Sequence, residues 1–161
     1  MERDKLPFRK NCEGYLIFED KIVVRDTGWG YLEFPGGGLH EGEDFIDALK
    51  REAHEEAGVI LDGEPREVKI IKYLYHSDWV KNDKHKRRYE KYRGDEMHFF
   101  LGKVKELVNP PGDGEEKGWS KDDRLMPIKK VVKILEGYKP FPKELEEYSN
   151  FQIDFLRGLV N

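Results

Sequence analysis

From Gly36 to Val59 the chain reads GGGLHEGEDFIDALKREAHEEAGV. Three glycines open the run and Gly58 stands near its end, with Glu41, Glu43, Asp44, Asp47, Glu52, Glu55 and Glu56 between them. On a helix, Glu52, Glu55 and Glu56 share one arc roughly 100° wide, because residues three and four apart are neighbours. Like charges placed this way repel by roughly 0.2–0.5 kcal/mol per pair in an isolated helix, and by more when partly buried. Clustered carboxylate oxygens are the ligands that Mg²⁺ or Mn²⁺ prefers, and a divalent cation cancels the repulsion. A cation held there would serve phosphate chemistry, by neutralising charge on phosphate oxygens and activating water. The plain alternative is a solvated acidic face, since runs of charge are mostly wet surface.

The elements that must carry these carboxylates surround them. Residues 44 to 57 are expected to form a helix, with Asp44 as N-cap and Gly58 as the stop. Phe45, Ile46, Leu49, Ala53 and Ala57 make its core-facing stripe, and Arg51 falls away from that stripe. GYLIFEDKIVVRD reads as two short strands around a turn at Glu19 and Asp20. GWGYLEFPGGG is an extended piece in which Pro35 and Gly36 to Gly38 should stop any regular element. REVKIIKYLYHSDWV and HFFLGKVKEL read as strands, and KNDKHKRRYEKYRGDE between them as a basic, polar loop. NPPGDGEEKG is a turn-rich connector. IKKVVKILEG suits a short amphipathic helix with Ile128, Val131, Val132 and Leu135 on one side, and KELEEYSNFQIDFLRGLV a last helix. Strands on both sides of a central helix, with helices at the end, imply a mixed α/β or α+β layer fold. No repeat, low-complexity tract or internal boundary divides the chain, so residues 1–161 are expected to form one domain.

Charged residues make up 39% of the 161 positions, yet their signs nearly balance at a net charge of -4, which argues against a stable nucleic-acid partner. Cys12 is the only cysteine, so an internal disulfide and a cysteine-built zinc site are both excluded. The charged start MERDKLPFRK lacks the apolar run of a secretory signal, and no stretch is long enough to span a membrane; a cytoplasmic location is the expectation. No exposed apolar seam demands a homodimer, and none is ruled out.

Gly37, Glu43, Arg51, Glu52, Glu55, Glu56 and Gly58 stand in the pattern G-x5-E-x7-R-E-U-x-E-E-x-G-U, with Ala53 and Val59 at the apolar U positions. Seven such identities arise by chance in a chain this long with odds on the order of 10⁻⁵. The pattern resembles the Nudix box at every fixed position. The flanks are similar too: EFPGGG before the box, strands on either side and an amphipathic helix near the end. The resemblance implies the α/β Nudix fold, an α/β/α sandwich around a mixed β-sheet. It also implies hydrolysis of diphosphate bonds in nucleoside diphosphates linked to a further group, with Mg²⁺ as cofactor and Mn²⁺ as a substitute. Carried over, Glu52, Glu55, Glu56 and the carbonyl of Gly36 would hold metal. Glu43 and Arg51 would brace the loop between Gly37 and Gly58, with Arg51 counted in the catalytic machinery. The base that takes water's proton varies among such enzymes. It is a box glutamate or a carboxylate from elsewhere, here Glu96 or Asp95, of which Glu96 is the stronger candidate. His98 is expected to be structural.

The resemblance leaves the substrate open beyond a small-molecule nucleotide. Lys81, Lys84, Lys86, Arg87, Arg88, Lys91 and Arg93 cluster in one stretch that could meet phosphates or RNA, or be plain solvated surface. Trp29, Tyr31, Tyr73, Tyr75 and Trp79 lie near strand ends where a base could stack. Trp29, Tyr31, Arg87 and Arg88 are the substrate-binding candidates. The proline that marks ADP-ribose enzymes and the tyrosine of dinucleoside polyphosphate enzymes are not found at their spacings. EFPGGG resembles the opening of enzymes that hydrolyse nucleoside triphosphates, oxidised ones included. These come first, then ADP-ribose or nucleotide sugars, then capped RNA or dinucleoside polyphosphates. A non-catalytic ligand sensor on the same fold is the rival from another class, but such boxes usually lose glutamates and this one keeps all. Isoprenoid diphosphate isomerisation needs a cysteine setting that KNCEGY does not match.

Overall fold

The structure is a computed structural model that describes residues 2–28, 30–111, 119, 122–138 and 143–160. In chain order its first elements are strands β1 (Phe8–Phe18), β2 (Lys21–Val23), β3 (Arg25–Asp26), β4 (Leu32–Glu33) and β5 (Gly36–Gly38), then helix α1 (Phe45–Ala57). Strands β6 (Val59–Leu61) and β7 (Arg66–Leu74), helix α2 (Asp83–Lys91) and strand β8 (Gly94–Leu107) follow. Strand β9 (Leu125–Pro127), helix α3 (Ile128–Glu136) and helix α4 (Glu146–Leu159) complete it.

Strands β1 and β8 run parallel at the centre, from Phe8 opposite Gly94 to Ile17 opposite Lys103. The main sheet has the order β6-β8-β1-β2-β9, with β7 also on β8 and β5 also on β1, and all these other pairings are antiparallel. Strands β3 and β4 form a separate hairpin. The central pair is covered on both faces, which is why YLIF and HFFL read as unbroken apolar runs. On one face Cys12, Leu16, Phe100 and Val104 meet Ala48, Leu49, Ala53 and Ala57 of α1. On the other, Tyr15, Ile71 and Phe99 meet the apolar sides of α3 and α4, through Ile128, Val131, Val132, Leu135 and Leu156. The result is a mixed sheet between helical layers, the α/β/α sandwich that the resemblance implies. Among the described residues, no helix is long and apolar enough to cross a membrane.

Two expectations need correction. Pro35 does interrupt the chain, in a bend between β4 and β5, but the glycines do not stay irregular: Gly36, Gly37 and Gly38 pair antiparallel with Glu13, Cys12 and Asn11 as β5. A Cβ on Gly36 would lie 2.0 Å from the Cys12 carbonyl oxygen, so glycine is what allows this close pairing, and tertiary context overrides poor strand propensity. The basic stretch after Asn82 is likewise helical over Asp83–Lys91 rather than a loop. Asn82 caps it by accepting from the His85 amide at 2.8 Å. At the other end Arg3 donates to the carbonyls of Tyr89 at 2.6 Å and Tyr92 at 3.0 Å. The ring of His85 lies 4.3 Å from that of Trp79, which stacks in turn on Tyr75 at 4.4 Å. Periodicity missed the helix because it buries no residue and so shows no apolar stripe. Of NPPGDGEEKG, residues 109–111 are irregular and the remainder lies outside the described residues.

Helix α2 therefore depends on its ends. Asn82→Ala should cost about 1 kcal/mol of helix stability. Faster amide exchange across residues 83–91 than in the unaltered protein is the expected readout, and unchanged protection there would show that the cap is dispensable.

Candidate active site

Helix α1 starts where Asp44 accepts from the Asp47 amide at 2.8 Å and ends at Gly58, whose φ is 64°. A Cβ on Gly58 would stand 2.1 Å from the Val108 carbonyl oxygen. Arg124, buried and absent from the sequence reading, donates to the Ala57 carbonyl at 2.8 Å and to that of Val108, so a cation closes the negative end of the helix. The small residues Ala48, Ala53 and Ala57 let α1 lie close on the sheet, while Phe45 and Ile46 are only half-buried.

Arg51 joins the helix to the segment before it. Its guanidinium grips Glu43 with two bonds of 2.9 Å, Nε to Oε2 and Nη2 to Oε1. Nη2 also reaches the Gly38 carbonyl at 3.2 Å, and Nη1 reaches Glu52 at 3.0 Å and Glu55 at 3.4 Å. The hydrogen bonds from Arg51 hold the Glu43 carboxyl at about 2, far below its ordinary 4.5.

The glutamates divide by position. Glu56 Oε1 accepts from the Gly36 amide at 3.0 Å. The Glu52 carboxylate lies where a Cβ on Gly37 would come within 2.6 Å of it, so that glycine makes its place. Glu55 is the outer one, with 54% of its side chain exposed. Glu43, Glu52 and Glu55 thus meet one guanidinium, while Glu56 is held by the glycine strand. This oxygen-rich donor set fits a hard divalent cation. Among the described residues no three such side chains are yet drawn into a ligand cluster, and Arg51 Nη1 stands between Glu52 and Glu55.

Asp95 and Glu96 are adjacent in β8 and point to opposite faces. Glu96 shares the α1 face with His98, whose ring stacks 3.6 Å from that of Phe45. Its Oε2 is 2.7 Å from His98 Nε2, its Oε1 is 3.7 Å from Lys72, and the bond to His98 lowers its pKa. His98 Nδ1 pairs with Glu67. Asp95 is buried on the other face, where it accepts from Asn11 at 2.8 Å, from the Tyr73 hydroxyl at 2.5 Å and from that of Tyr75. Burial and the Asp95 charge push both tyrosines up.

Sequence reading missed the polar stripe of β1. Arg9, Asn11 and Glu13 alternate on the face opposite α1, and polar residues at every second position of a buried strand were the available signal. Arg9 donates to Asn11 Oδ1 at 2.5 Å. Glu13 is fully buried among neutral donors, the hydroxyls of Tyr15 at 2.9 Å and Tyr148 and the amide of Gln152 at 2.9 Å, and burial raises its pKa. Cys12 is buried mid-strand rather than at a strand start, and burial pushes its thiol to about 12, which leaves it inert. Of the substrate-binding candidates, Tyr31 is exposed beside the β3–β4 hairpin, and Arg87 is exposed and Arg88 half-buried on α2. Trp29 lies outside the described residues.

A family model described as NUDIX domain matches residues 9–147. An RNA pyrophosphohydrolase of Bartonella clarridgeiae is 33% identical over 133 residues, covering 69% of this chain and 72% of its own. One of Bartonella henselae is 33% identical over 131 residues with the same two coverages. Among solved structures, a NUDIX hydrolase from Nitrosomonas europaea superposes with a TM-score of 0.57 at 16% identity, covering 91% of this chain and 90% of that one.

The Arg51–Glu43 pair has a pH signature. With Glu43 at about 2 when folded and 4.5 when unfolded, its stabilisation is present above about pH 4.5 and is lost as pH falls through about 2. Denaturant unfolding followed from pH 6 to pH 2 should show a shallower loss of stability for Glu43→Gln than for the unaltered protein. Superimposable profiles would mean that the pair contributes nothing.

Proposed function

This chain belongs to the Nudix family, and from that premise we propose that it cleaves the diphosphate linkages at the 5′-triphosphorylated end of RNA. As a family member it is a pyrophosphohydrolase. RNA is favoured over the free nucleoside triphosphates that the sequence placed first, because the RNA pyrophosphohydrolases it resembles match two thirds of its length. Helix α2 supports the reading: Lys84, Lys86, Arg87 and Lys91 are exposed on it, and Arg88 lies near enough to Arg9, beside the glycine strand, to feel its charge. Such a surface suits a backbone that extends beyond its terminal phosphates. RNA is then a passing substrate rather than a stable partner, and a cytoplasmic location fits.

Glu52, Glu55, Glu56 and the Gly36 carbonyl are the groups that would hold Mg²⁺. When bound, the metal neutralises charge on the phosphate oxygens and lowers the pKa of water. Arg51 and Glu43 keep the glycine strand and α1 in fixed relation, so that the donors converge. Glu96 remains a candidate base, but a carboxylate that His98 holds below its ordinary value is a poor proton acceptor. That favours a box glutamate, with Glu55 the most open. Tyr31, Arg87 and Arg88 would contact the nucleotide portion.

A substrate panel with Mg²⁺ tests the reading. Hydrolysis of a 5′-triphosphorylated oligoribonucleotide should exceed that of nucleoside triphosphates and ADP-ribose by about tenfold or more in kcat/KM, about 1.4 kcal/mol in transition-state binding. Equal or better turnover of free nucleotides would return them to first place. Glu55→Gln and Glu56→Gln should each lower kcat by about 10² or more in a folded protein, the scale of losing a transition-state electrostatic contact. Near-normal rates in either would remove its assigned role.

A further inference from the structure

The Arg9 guanidinium lies across Gly38, where a Cβ would fall 2.5 Å from Nη2. Gly38 is the last residue of the glycine strand, and its carbonyl is already held by Arg51. Arg9 Nη1 is bound to Asn11 and stands 3.9 Å from Asp95 Oδ1. Nε and Nη2 meet no acceptor among the described residues, and 22% of the side chain stays exposed. Asp95 is itself fixed from three sides, by Asn11, Tyr73 and Tyr75. The aim of Arg9 is therefore set by a rigid buried cluster rather than by chance at the surface.

Arg88 of α2 is half-buried, its side chain meets no acceptor among the described residues, and both burial and the nearby Arg9 disfavour its charge. A guanidinium with donors to spare calls for an anion, and the planar fork of arginine suits the oxygens of a phosphate. Arg9 lies on the face away from α1, but Gly38 joins the two sides: Arg9 stands against it, Arg51 holds its carbonyl, and Gly37 and Gly36 just before it serve Glu52 and Glu56.

We propose that Arg9 binds a phosphate of the substrate's polyphosphate chain next to the one handled by the glutamates, and that Asp95 is the positioning residue that aims Arg9. This rests on the pyrophosphohydrolase reading above and names the group that grips the chain. Arg9 touches substrate, whereas Asp95 acts through Asn11 and Arg9.

Two readouts on the Mg²⁺-loaded protein separate this proposal from the choice of substrate. The first is calorimetric binding of inorganic pyrophosphate. The second is the split between KM and kcat on whichever substrate of the panel is turned over best. Arg9→Ala should weaken pyrophosphate binding and raise KM by about tenfold or more, with kcat changed less than about threefold. Arg9→Lys should recover part of the loss, since it keeps the charge without the fork. Asp95→Asn should shift KM in the same direction by less. If Arg9→Ala fails to fold, Arg9→Lys carries the comparison, and a KM equal to that of the unaltered protein then counts against the fork. Unchanged pyrophosphate affinity and unchanged KM in folded Arg9→Ala would overturn the proposal. Turnover of free nucleotides alone, with the Arg9 effects intact, would overturn only the RNA reading.

Discussion

Everything at the candidate site depends on one guanidinium among too many carboxylates. Arg51 is the place where the loop carrying Glu43, the glycine strand and helix α1 are tied together. It satisfies Glu43 with a two-bonded fork and has one nitrogen left for Glu52 and Glu55. An oxygen-rich arrangement with little room for side chains suits the cation proposed for it. The glycines belong to the same constraint. Gly36 must pass close to the Cys12 carbonyl and Gly37 must leave space for Glu52, so bulk at either place would part the donors.

The central strand serves two environments. One face of β1 presents Cys12 and Leu16 to α1 and forms an ordinary apolar core. The other carries Arg9, Asn11 and Glu13 before turning apolar at Tyr15. The two buried acids near this polar stretch are compensated differently. Asp95 has the Arg9 guanidinium within reach as well as three neutral donors. Glu13 has only neutral donors, two of them from α4, and burial raises its pKa accordingly. Glu13 therefore pins the last helix to the sheet, while Asp95 gathers the first strand and β7 at its other end.

The readable parts of the chain were those with strong local rules. The caps of α1, the Glu19–Asp20 turn between β1 and β2, and the apolar side of α3 follow from capping, strand and helix periodicity alone. The box glutamates were legible because their spacing is a helical one. The elements missed have their causes elsewhere in the chain. Strand β5 exists because β1 offers a ladder to three glycines, and α2 is secured at one end by Arg3, more than eighty residues away in sequence. Arg124 closes α1 across a comparable distance, and nothing local marks it for that task.

Asp95 and Glu96 show most clearly where reading along the chain stops. The sequence by itself determined that a helix would carry three clustered carboxylates behind a glycine run, because helix spacing and caps are local properties. It also placed two acids just before a strand, which the structure extends back to Gly94 to include them. Only the tertiary structure decided which of them faces α1 beside His98 and which is buried among tyrosines, because the facing of a strand residue depends on the register with its neighbours. A shift of one residue between β1 and β8 would exchange their environments, and that pairing is set by a core assembled from both ends of the chain.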